Sequence, residues 1–180
     1  MTETTLSGRI WVLAESGHLI EDIDTDQIFH NAFLHITDIA KMGQYALGNL
    51  KGWEDFSEKA GSEDIVIAGR NFGAGSSRQQ AVDCFVALGI SAILAPSFGA
   101  IYFRNAINSG FPLLRSTELD TLVLSSQMET GDRITLDFGS SEAKNLTKET
   151  SFTIDTMSGV QSAIFKSGNL FGYGKILDRE

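Results

Sequence analysis

Two serines and an arginine, Ser76-Ser77-Arg78, form the most chemically specific segment of the chain. A hydroxyl group can donate a hydrogen bond or exchange a proton, and a guanidinium group can hold a carboxylate or phosphate through paired hydrogen bonds. Three glycines lie between Gly69 and Gly75, directly before the serines. Because glycine lets the backbone turn sharply and approach a ligand closely, this run predicts an anion-binding loop.

A second group of polar side chains lies nearer the N-terminus, where Asp22, Asp24 and Asp26 alternate with other residues. On composition alone we favour a solvated acidic turn, since aspartate is frequent in turns. The alternative is a carboxylate cluster that holds an arginine, a serine or a substrate-bound water.

The elements around the glycine loop would position these groups. Ile65–Ala68 is a short, apolar, β-branched run typical of a buried strand. After the serines, apolar residues recur at helical spacing until Gly89, which predicts the helix end. We predict that Ser76 or Ser77 caps this helix and that Arg78 lies in its first turn. Backbone N–H groups and the helix dipole would then point at the anion.

The rest of the chain predicts an α/β fold. Gly8–Leu13 and Ser91–Ala95 predict strands, and the strand–helix–strand spacing implies two parallel strands joined by a crossover. Residues 30–60 predict a mobile connection with one or two short helices beside the site. The further predicted elements are a helix at Ile101–Ser109, a strand at Phe111–Leu114, an antiparallel hairpin from Arg133–Phe138 to Ser151–Asp155 with a long polar tip, and a helix from Ser158 with Val160, Ile164 and Phe165 facing inward.

Length, charge and composition restrict the classes of function. A chain of 180 residues predicts a single domain spanning residues 1–180. Its net charge of −9 argues against nonspecific nucleic-acid binding. We find no apolar run near the roughly 20 residues of a membrane span and no signal pattern. We therefore predict no membrane partner and a cytoplasmic location, or an organelle if a transit peptide has been trimmed.

Cysteine and histidine usage predicts no metal site in this chain. Cys84 is the single cysteine, so an internal disulfide is excluded and the thiolates of an iron–sulfur cluster cannot all come from here. His18, His30 and His35 show no metal-motif spacing. We expect no cofactor bound by these residues alone.

The sequence does not match three common glycine-loop motifs, and specific residues exclude each of them. A Rossmann fingerprint needs a third glycine where Arg78 stands, and the strand at Ser91–Ala95 is not followed by the acidic residue that would hold a ribose. A P-loop needs a glycine at the position of Ala74 and a nearby lysine. A nucleophile elbow needs G-x-S-x-G, which Gly75–Ser77 does not supply. Nucleotide binding therefore stays a minor alternative.

The run Gly69–Ala81 (GRNFGAGSSRQQA) resembles the NFGCGSSREHA signature of the small subunits of 3-isopropylmalate dehydratase, the detached counterparts of the swivelling domain of aconitases. Asp24–Ile28 (DTDQI) resembles the family's DTDxI motif, and Ala95–Asn105 resembles its APSFAxIF…N segment. The three motifs occur in the family's order, within about the first two thirds of the chain.

This resemblance implies a fold, an activity and a partner. The fold is a swivelling β/β/α domain of the α/β class, with a parallel sheet, a second antiparallel sheet and flanking helices. The activity is that of a hydro-lyase: 2- and 3-isopropylmalate are interconverted by dehydration and rehydration, in leucine biosynthesis. The partner is a large subunit that carries a [4Fe–4S] cluster, in a heterodimer or heterotetramer that acts on a small hydroxy-dicarboxylic acid.

The resemblance also implies roles for individual residues. Ser76 is the base, acting as an alkoxide, and Arg78 holds a substrate carboxylate. Asp24 and Asp26 complete the implied catalytic set by orienting polar partners. The implied substrate-binding residues are Ala74, Gly75, Ser77, Arg78, His35, Ile36 and Thr37.

Several positions depart from the family pattern. Ala74 replaces a cysteine, and Gln79-Gln80 replaces a Glu-His pair. His35 and Ile36 replace an arginine and a threonine in a substrate-reading loop of the YLRTT type. Loss of the arginine argues against an extra substrate carboxylate, and Ile36 favours an apolar substituent. Citramalate, dimethylmalate and homoaconitate remain alternative substrates, and a non-catalytic carboxylate-binding subunit is a second hypothesis.

Overall fold

A mixed sheet of seven strands lies at the centre of the computed structural model, which describes residues 5–178. Two short strands pair separately, β2 with β3. The strands are β1 (Thr5–Val12), β2 (Ala14–Glu15), β3 (His18–Leu19), β4 (Ile65–Ile67), β5 (Ala92–Ala95), β6 (Leu113–Arg115), β7 (Arg133–Asp137), β8 (Glu142–Asn145) and β9 (Thr150–Thr153).

Strand β1 joins a parallel half of the large sheet to an antiparallel half. The order across the sheet is β6-β5-β4-β1-β7-β8-β9. Strands β1, β4, β5 and β6 run parallel, whereas β7, β8 and β9 continue antiparallel from the other side of β1. The predicted combination of parallel and antiparallel sheets is confirmed, as is the parallel pairing across the central helix.

The antiparallel half corrects one prediction. The polar segment expected to be a long hairpin tip contains β8, so the prediction of a tip was wrong. Ala143 and Asn145 alternate inward along β8, but a small residue and an amide give a weak apolar signal. The cost of burying the Asn145 amide is offset by a hydrogen bond that its side chain donates to the Asp132 carboxylate at 2.8 Å.

The helices flank this sheet. Gly89 ends the central helix in the left-handed conformation (φ 83°), as predicted. Ser158 caps the helix predicted near the C-terminus through a capping box with Gln161. The helices are α1 (Thr25–Ile28), α2 (Phe56–Lys59), α3 (Gln80–Leu88), α4 (Ala100–Asn108), α5 (Leu119–Leu124), α6 (Gly159–Lys166) and α7 (Leu170–Leu177), with short 3₁₀ turns at Asn31–Phe33, Ile39–Lys41 and Gly43–Tyr45.

Helix α6 packs mainly through its later turns. Ile164 is buried and Phe165 is half-buried, as expected, but Val160 is 58% exposed. The prediction that Val160 faces inward was therefore wrong, because the first turn of α6 lies in solvent. Within the described residues, no helix is long and apolar enough to cross a bilayer.

The buried strands β4 and β5 divide the core into two layers. Because side chains alternate across a strand, Val66 packs into the layer that contains Phe85 of α3, while Ile65 and Ile67 pack into the layer of the antiparallel strands. Covering both faces of the sheet in this way holds the carboxyl ends of β4 and β5 in place. The glycine loop begins at that edge, where open α/β sheets bind ligands.

Candidate active site

The glycine loop after β4 packs tightly against α4. Gly73 has φ 77°, and a Cβ there would lie 2.2 Å from Cγ of the buried Tyr102. Only glycine therefore fits the position without displacing Tyr102. Phe72 N donates to the Ser97 carbonyl at 3.2 Å, and Gly99 N donates to the Phe72 carbonyl at 2.9 Å. These bonds fasten the loop to the segment that follows β5.

The same loop is bridged to the segment that carries the acidic residues. Gly73 N donates to the Ile23 carbonyl at 2.8 Å, and Thr25 N donates to the Ala74 carbonyl at 2.9 Å. Asp24 and Ala74 thereby form an isolated parallel bridge. The bridge brings two motifs that are about fifty residues apart in the chain to the same edge of the sheet.

Ser76 stands on the exposed side of this junction. Its Oγ lies 3.2 Å from Oγ1 of Thr25, whose residue is only 2% exposed. Ser77 is also exposed, and its hydroxyl accepts a hydrogen bond from the Asn105 side-chain amide at 3.4 Å. The two serine hydroxyls are thus each held by a side chain from a different segment.

Arg78 points toward α1. Its Nη1 donates to Oδ1 of Asp26 at 2.6 Å and to the Phe29 carbonyl at 3.0 Å. The Arg78 side chain is 17% exposed and the Asp26 side chain is 33% exposed. The guanidinium hydrogen bond lowers the pKa of Asp26, so this carboxyl is ionised and keeps the arginine in place.

The other two acidic side chains have structural partners. The Asp24 carboxylate accepts from Asp26 N and Gln27 N, both at 2.8 Å, and forms a capping box with Gln27 at the start of α1. Asp22 accepts from the Asn71 side-chain amide at 2.7 Å. Of the three acidic residues, Asp26 is the one that the structure brings to Arg78.

The start of α3 differs from its prediction. The helix begins at Gln80 with Gln79 as N-cap. Within the described residues, the Gln79 side chain makes no capping hydrogen bond and donates instead to Asp83 Oδ1 at 2.9 Å and to Ser109 Oγ at 2.8 Å. The predictions that Ser76 or Ser77 caps the helix and that Arg78 lies in its first turn were wrong. Residues 76–78 stay in a loop because Arg78 N bonds the Ser76 carbonyl at 2.9 Å and the arginine side chain extends to Asp26.

The loop predicted to read the substrate lies beside α3. His35 and Thr37 are exposed, whereas Ile36 is half-buried against the core. The His35 ring nitrogen Nδ1 lies 3.0 Å from the Ala32 carbonyl. The Gln80 side-chain amide donates to the Leu34 carbonyl at 3.4 Å, which ties this loop to the helix that follows Arg78.

The described residues of this chain do not suit an iron–sulfur cluster. Among residues 5–178 there is no group of three or more histidine, cysteine, aspartate or glutamate side chains that could hold a metal ion. Cys84 is fully buried, and its thiol lies 3.6 Å from the Ala81 carbonyl. Burial raises the pKa of the Cys84 thiol, so the thiolate that binds metals is disfavoured.

Comparison with known proteins agrees with this architecture. Residues 54–118 match the family described as the aconitase C-terminal domain. The chain is 36% identical over 155 residues to the 3-isopropylmalate dehydratase small subunit of Caldicellulosiruptor saccharolyticus, covering 86% of each protein. This chain belongs to the family of 3-isopropylmalate dehydratase small subunits. Its relatives of this name are small subunits of dehydratases.

Two further relatives extend the comparison. This small subunit is 30% identical to a 3-isopropylmalate dehydratase of Methanocaldococcus jannaschii of known crystal structure, with a TM-score of 0.83 and coverage of 97% of this chain and 96% of the other. The 2,3-dimethylmalate dehydratase small subunit of Eubacterium barkeri is 33% identical over 153 residues, covering 85% of this chain and 90% of its own. Family membership alone therefore leaves the substrate open.

Sequence reasoning missed three partners of the predicted residues. Thr25 contacts Ser76, the Phe29 carbonyl accepts from Arg78, and Asn49 donates to Asp26 Oδ2 at 3.1 Å. Thr25 lies inside the DTDQI motif, so the motif could have indicated it. The chemical roles were assigned instead to the two aspartates that flank it. A main-chain carbonyl and a loop asparagine carry no such signal.

Proposed function

We propose that this small subunit and its large-subunit partner interconvert 2- and 3-isopropylmalate by dehydration and rehydration, as a cytoplasmic step of leucine biosynthesis. The observation that carries the proposal is the joint placement of Ser76 and Arg78. Ser76 offers an exposed hydroxyl in contact with Thr25, and Arg78 offers a guanidinium group held by Asp26, the residue that follows Thr25 in α1. Membership of the dehydratase small-subunit family supports the reaction class.

We assign the iron–sulfur cluster to the large subunit, because the described residues of this chain do not suit it. In the partner, a [4Fe–4S] cluster would supply Lewis-acid chemistry to the departing hydroxyl and to a substrate carboxylate. A heterodimer or a heterotetramer would bring the cluster to the exposed Ser76 face.

Ser76 is the proposed base. Its ionised Oγ takes the proton from a C–H bond next to a substrate carboxylate, the C–H electron pair forms the C=C bond, and hydroxide leaves from the neighbouring carbon. For rehydration the same hydroxyl gives its proton to the carbon that lost hydroxide, while hydroxide adds at the carbon that lost the proton, so that no net proton is gained or lost. A serine hydroxyl can act in this way only when nearby groups stabilise the anion, a role that we assign to the positive charge of Arg78, two residues away in the same loop.

Arg78 is the proposed carboxylate-binding residue. Asp26 and the Phe29 carbonyl engage Nη1, and we assign the edge formed by Nε and Nη2 to the substrate. Two hydrogen bonds from this edge would orient a carboxylate and so place the C–H bond against Ser76. The loop backbone at Ala74 and Gly75 and the Ser77 hydroxyl would line the same site.

The substrate assignment depends on the loop at His35–Thr37. Its lack of an arginine disfavours a third substrate carboxylate, and the half-buried Ile36 offers an apolar surface to an isopropyl group. The relative named as a dimethylmalate dehydratase keeps smaller alkyl-malates as the second candidate.

The test is anaerobic co-purification of the tagged small subunit with its large subunit, followed by assays of hydration of isopropylmaleate, citraconate and dimethylmaleate. We expect turnover to be fastest with isopropylmaleate. Ser76→Ala should abolish turnover while the subunits still co-purify. A complex whose Ser76→Ala variant keeps full activity would contradict the proposed base, and a pair inactive on every alkene would favour a carboxylate-binding subunit.

A further inference from the structure

The hydroxyl of Thr25 is a buried polar group whose hydrogen-bond partner is the Ser76 hydroxyl. Thr25 opens α1 and is 2% exposed, and its Oγ1 lies 3.2 Å from Ser76 Oγ. Its backbone is fixed on both sides, by the Asp24 capping box and by the bond from Thr25 N to the Ala74 carbonyl. The threonine hydroxyl is therefore held beside Ser76 before any substrate arrives.

We propose that Thr25 is a positioning residue that orients Ser76 Oγ and stabilises its deprotonated form. The inference rests on the proposed function, in which Ser76 is the base. It adds a group that acts on Ser76 from inside the protein, on the side opposite to solvent.

The physical reason lies in which hydroxyl can donate. Between two neutral hydroxyls, either oxygen can be the donor. Once Ser76 loses its proton, only Thr25 can donate, and a hydrogen bond to an anion is about twice as strong as one between neutral groups. Thr25 therefore stabilises the ionised serine more than the neutral one. Because the threonine is already fixed, little conformational entropy is lost when the bond strengthens.

A purely structural role for Thr25 predicts a different result. If the hydroxyl served only to fill space, valine would replace it without kinetic effect, since valine has nearly the same shape and lacks only the donor. Serine would keep the donor but lose the methyl group. The Val and Ser variants thus separate shape from hydrogen bonding.

The experiment uses the assembled complex with its large subunit and compares wild type with Thr25→Val, Thr25→Ser, Ser76→Ala and the Thr25→Val/Ser76→Ala double variant. For Thr25→Val we expect kcat to fall about 10- to 100-fold, the loss of one hydrogen bond to a charged group. KM should change little, and the pH of half-maximal kcat should rise by about one to two units. Thr25→Ser should resemble wild type, and the double variant should assemble and be as inactive as Ser76→Ala.

Two outcomes distinguish failure of this inference from failure of the proposed function. If Ser76→Ala is inactive but Thr25→Val matches wild type in kcat and pH profile, the role of Thr25 is wrong and Ser76 remains the base. If Ser76→Ala is fully active, both are wrong. Should Thr25→Val fail to assemble, Thr25→Cys provides a weaker donor of similar size; a kcat and pH profile equal to those of Thr25→Ser would then overturn the inference.

Discussion

Asp26 and Arg78 lie 52 positions apart in the chain, and their side chains meet through a hydrogen bond of 2.6 Å. The Phe29 carbonyl accepts from the same Nη1, and Asn49 donates to the other carboxylate oxygen of Asp26. The direction of the Arg78 guanidinium group is therefore set by residues in and after α1. Helix α3, which follows Arg78 in the chain, does not set it.

This arrangement predicts that Arg78 cannot be replaced by another cation. Arg78→Lys should lower kcat/KM about 10- to 100-fold in the assembled complex, because an ammonium group cannot bond Asp26, Phe29 and a carboxylate in one plane. Steady-state kinetics would measure the loss. Arg70→Lys is the matched control, since Arg70 is exposed and pairs with Glu21. Equal kinetics for the two variants would contradict the proposed role of Arg78.

The capping geometry predicts a structural role for Asp24. Asparagine caps helices about as well as aspartate, so Asp24→Asn should keep both stability and turnover. Asp24→Ala should lower the free energy of unfolding by about 1 kcal/mol. Urea unfolding and kinetics of the complex would test both. Loss of turnover in a stable Asp24→Asn variant would instead place the Asp24 charge in the chemistry.

The ion pair of Asp64 with Arg9 predicts a pH-dependent stability. Burial raises the pKa of Asp64, but hydrogen bonds from Arg9, Gly61 N and Trp11 outweigh it, and the pKa is lowered overall. A carboxyl whose folded-state pKa lies below its unfolded value of about 3.9 stabilises the fold above that pH. The contribution is lost as the pH falls through the folded-state pKa.

We therefore expect Asp64→Asn to be less stable than wild type near neutral pH, with a difference that shrinks below about pH 4. Urea unfolding across this range would measure it. Asp55→Asn is the control, because Asp55 is exposed and pairs with Lys59 on the surface. A difference between Asp64→Asn and wild type that did not change with pH would contradict the ion-pair explanation.

The contact of Gly73 with Tyr102 predicts a large effect of one methyl group. Left-handed backbone costs alanine about 1–2 kcal/mol. Gly17→Ala should show only that cost, since a Cβ there meets nothing within 4 Å. Gly73→Ala should lose clearly more, because its Cβ would overlap the Tyr102 ring. Thermal unfolding of the two variants gives the comparison, and equal losses would show that the loop can move aside.

Much of the fold and part of the site could be derived from local patterns. Strand β4, helix α3 and strand β5 follow from short-range periodicity, and Gly89 marks the helix end because only a left-handed residue fits there. The GSSR and DTD motifs, through the family resemblance, indicate Ser76, Arg78 and Asp26. Strand β8 was missed because its inward residues are weakly apolar.

What the sequence by itself determined was which residue types are candidates for the chemistry and most of the strands and helices that hold them. The tertiary structure decided which of these residues meet. Ser76 could have capped α3 on local grounds, but the bridge between Asp24 and Ala74 fixes the loop beside α1, where Thr25 and Asp26 engage Ser76 and Arg78. Contacts across about fifty residues depend on how the two segments pack, and no local propensity encodes that packing.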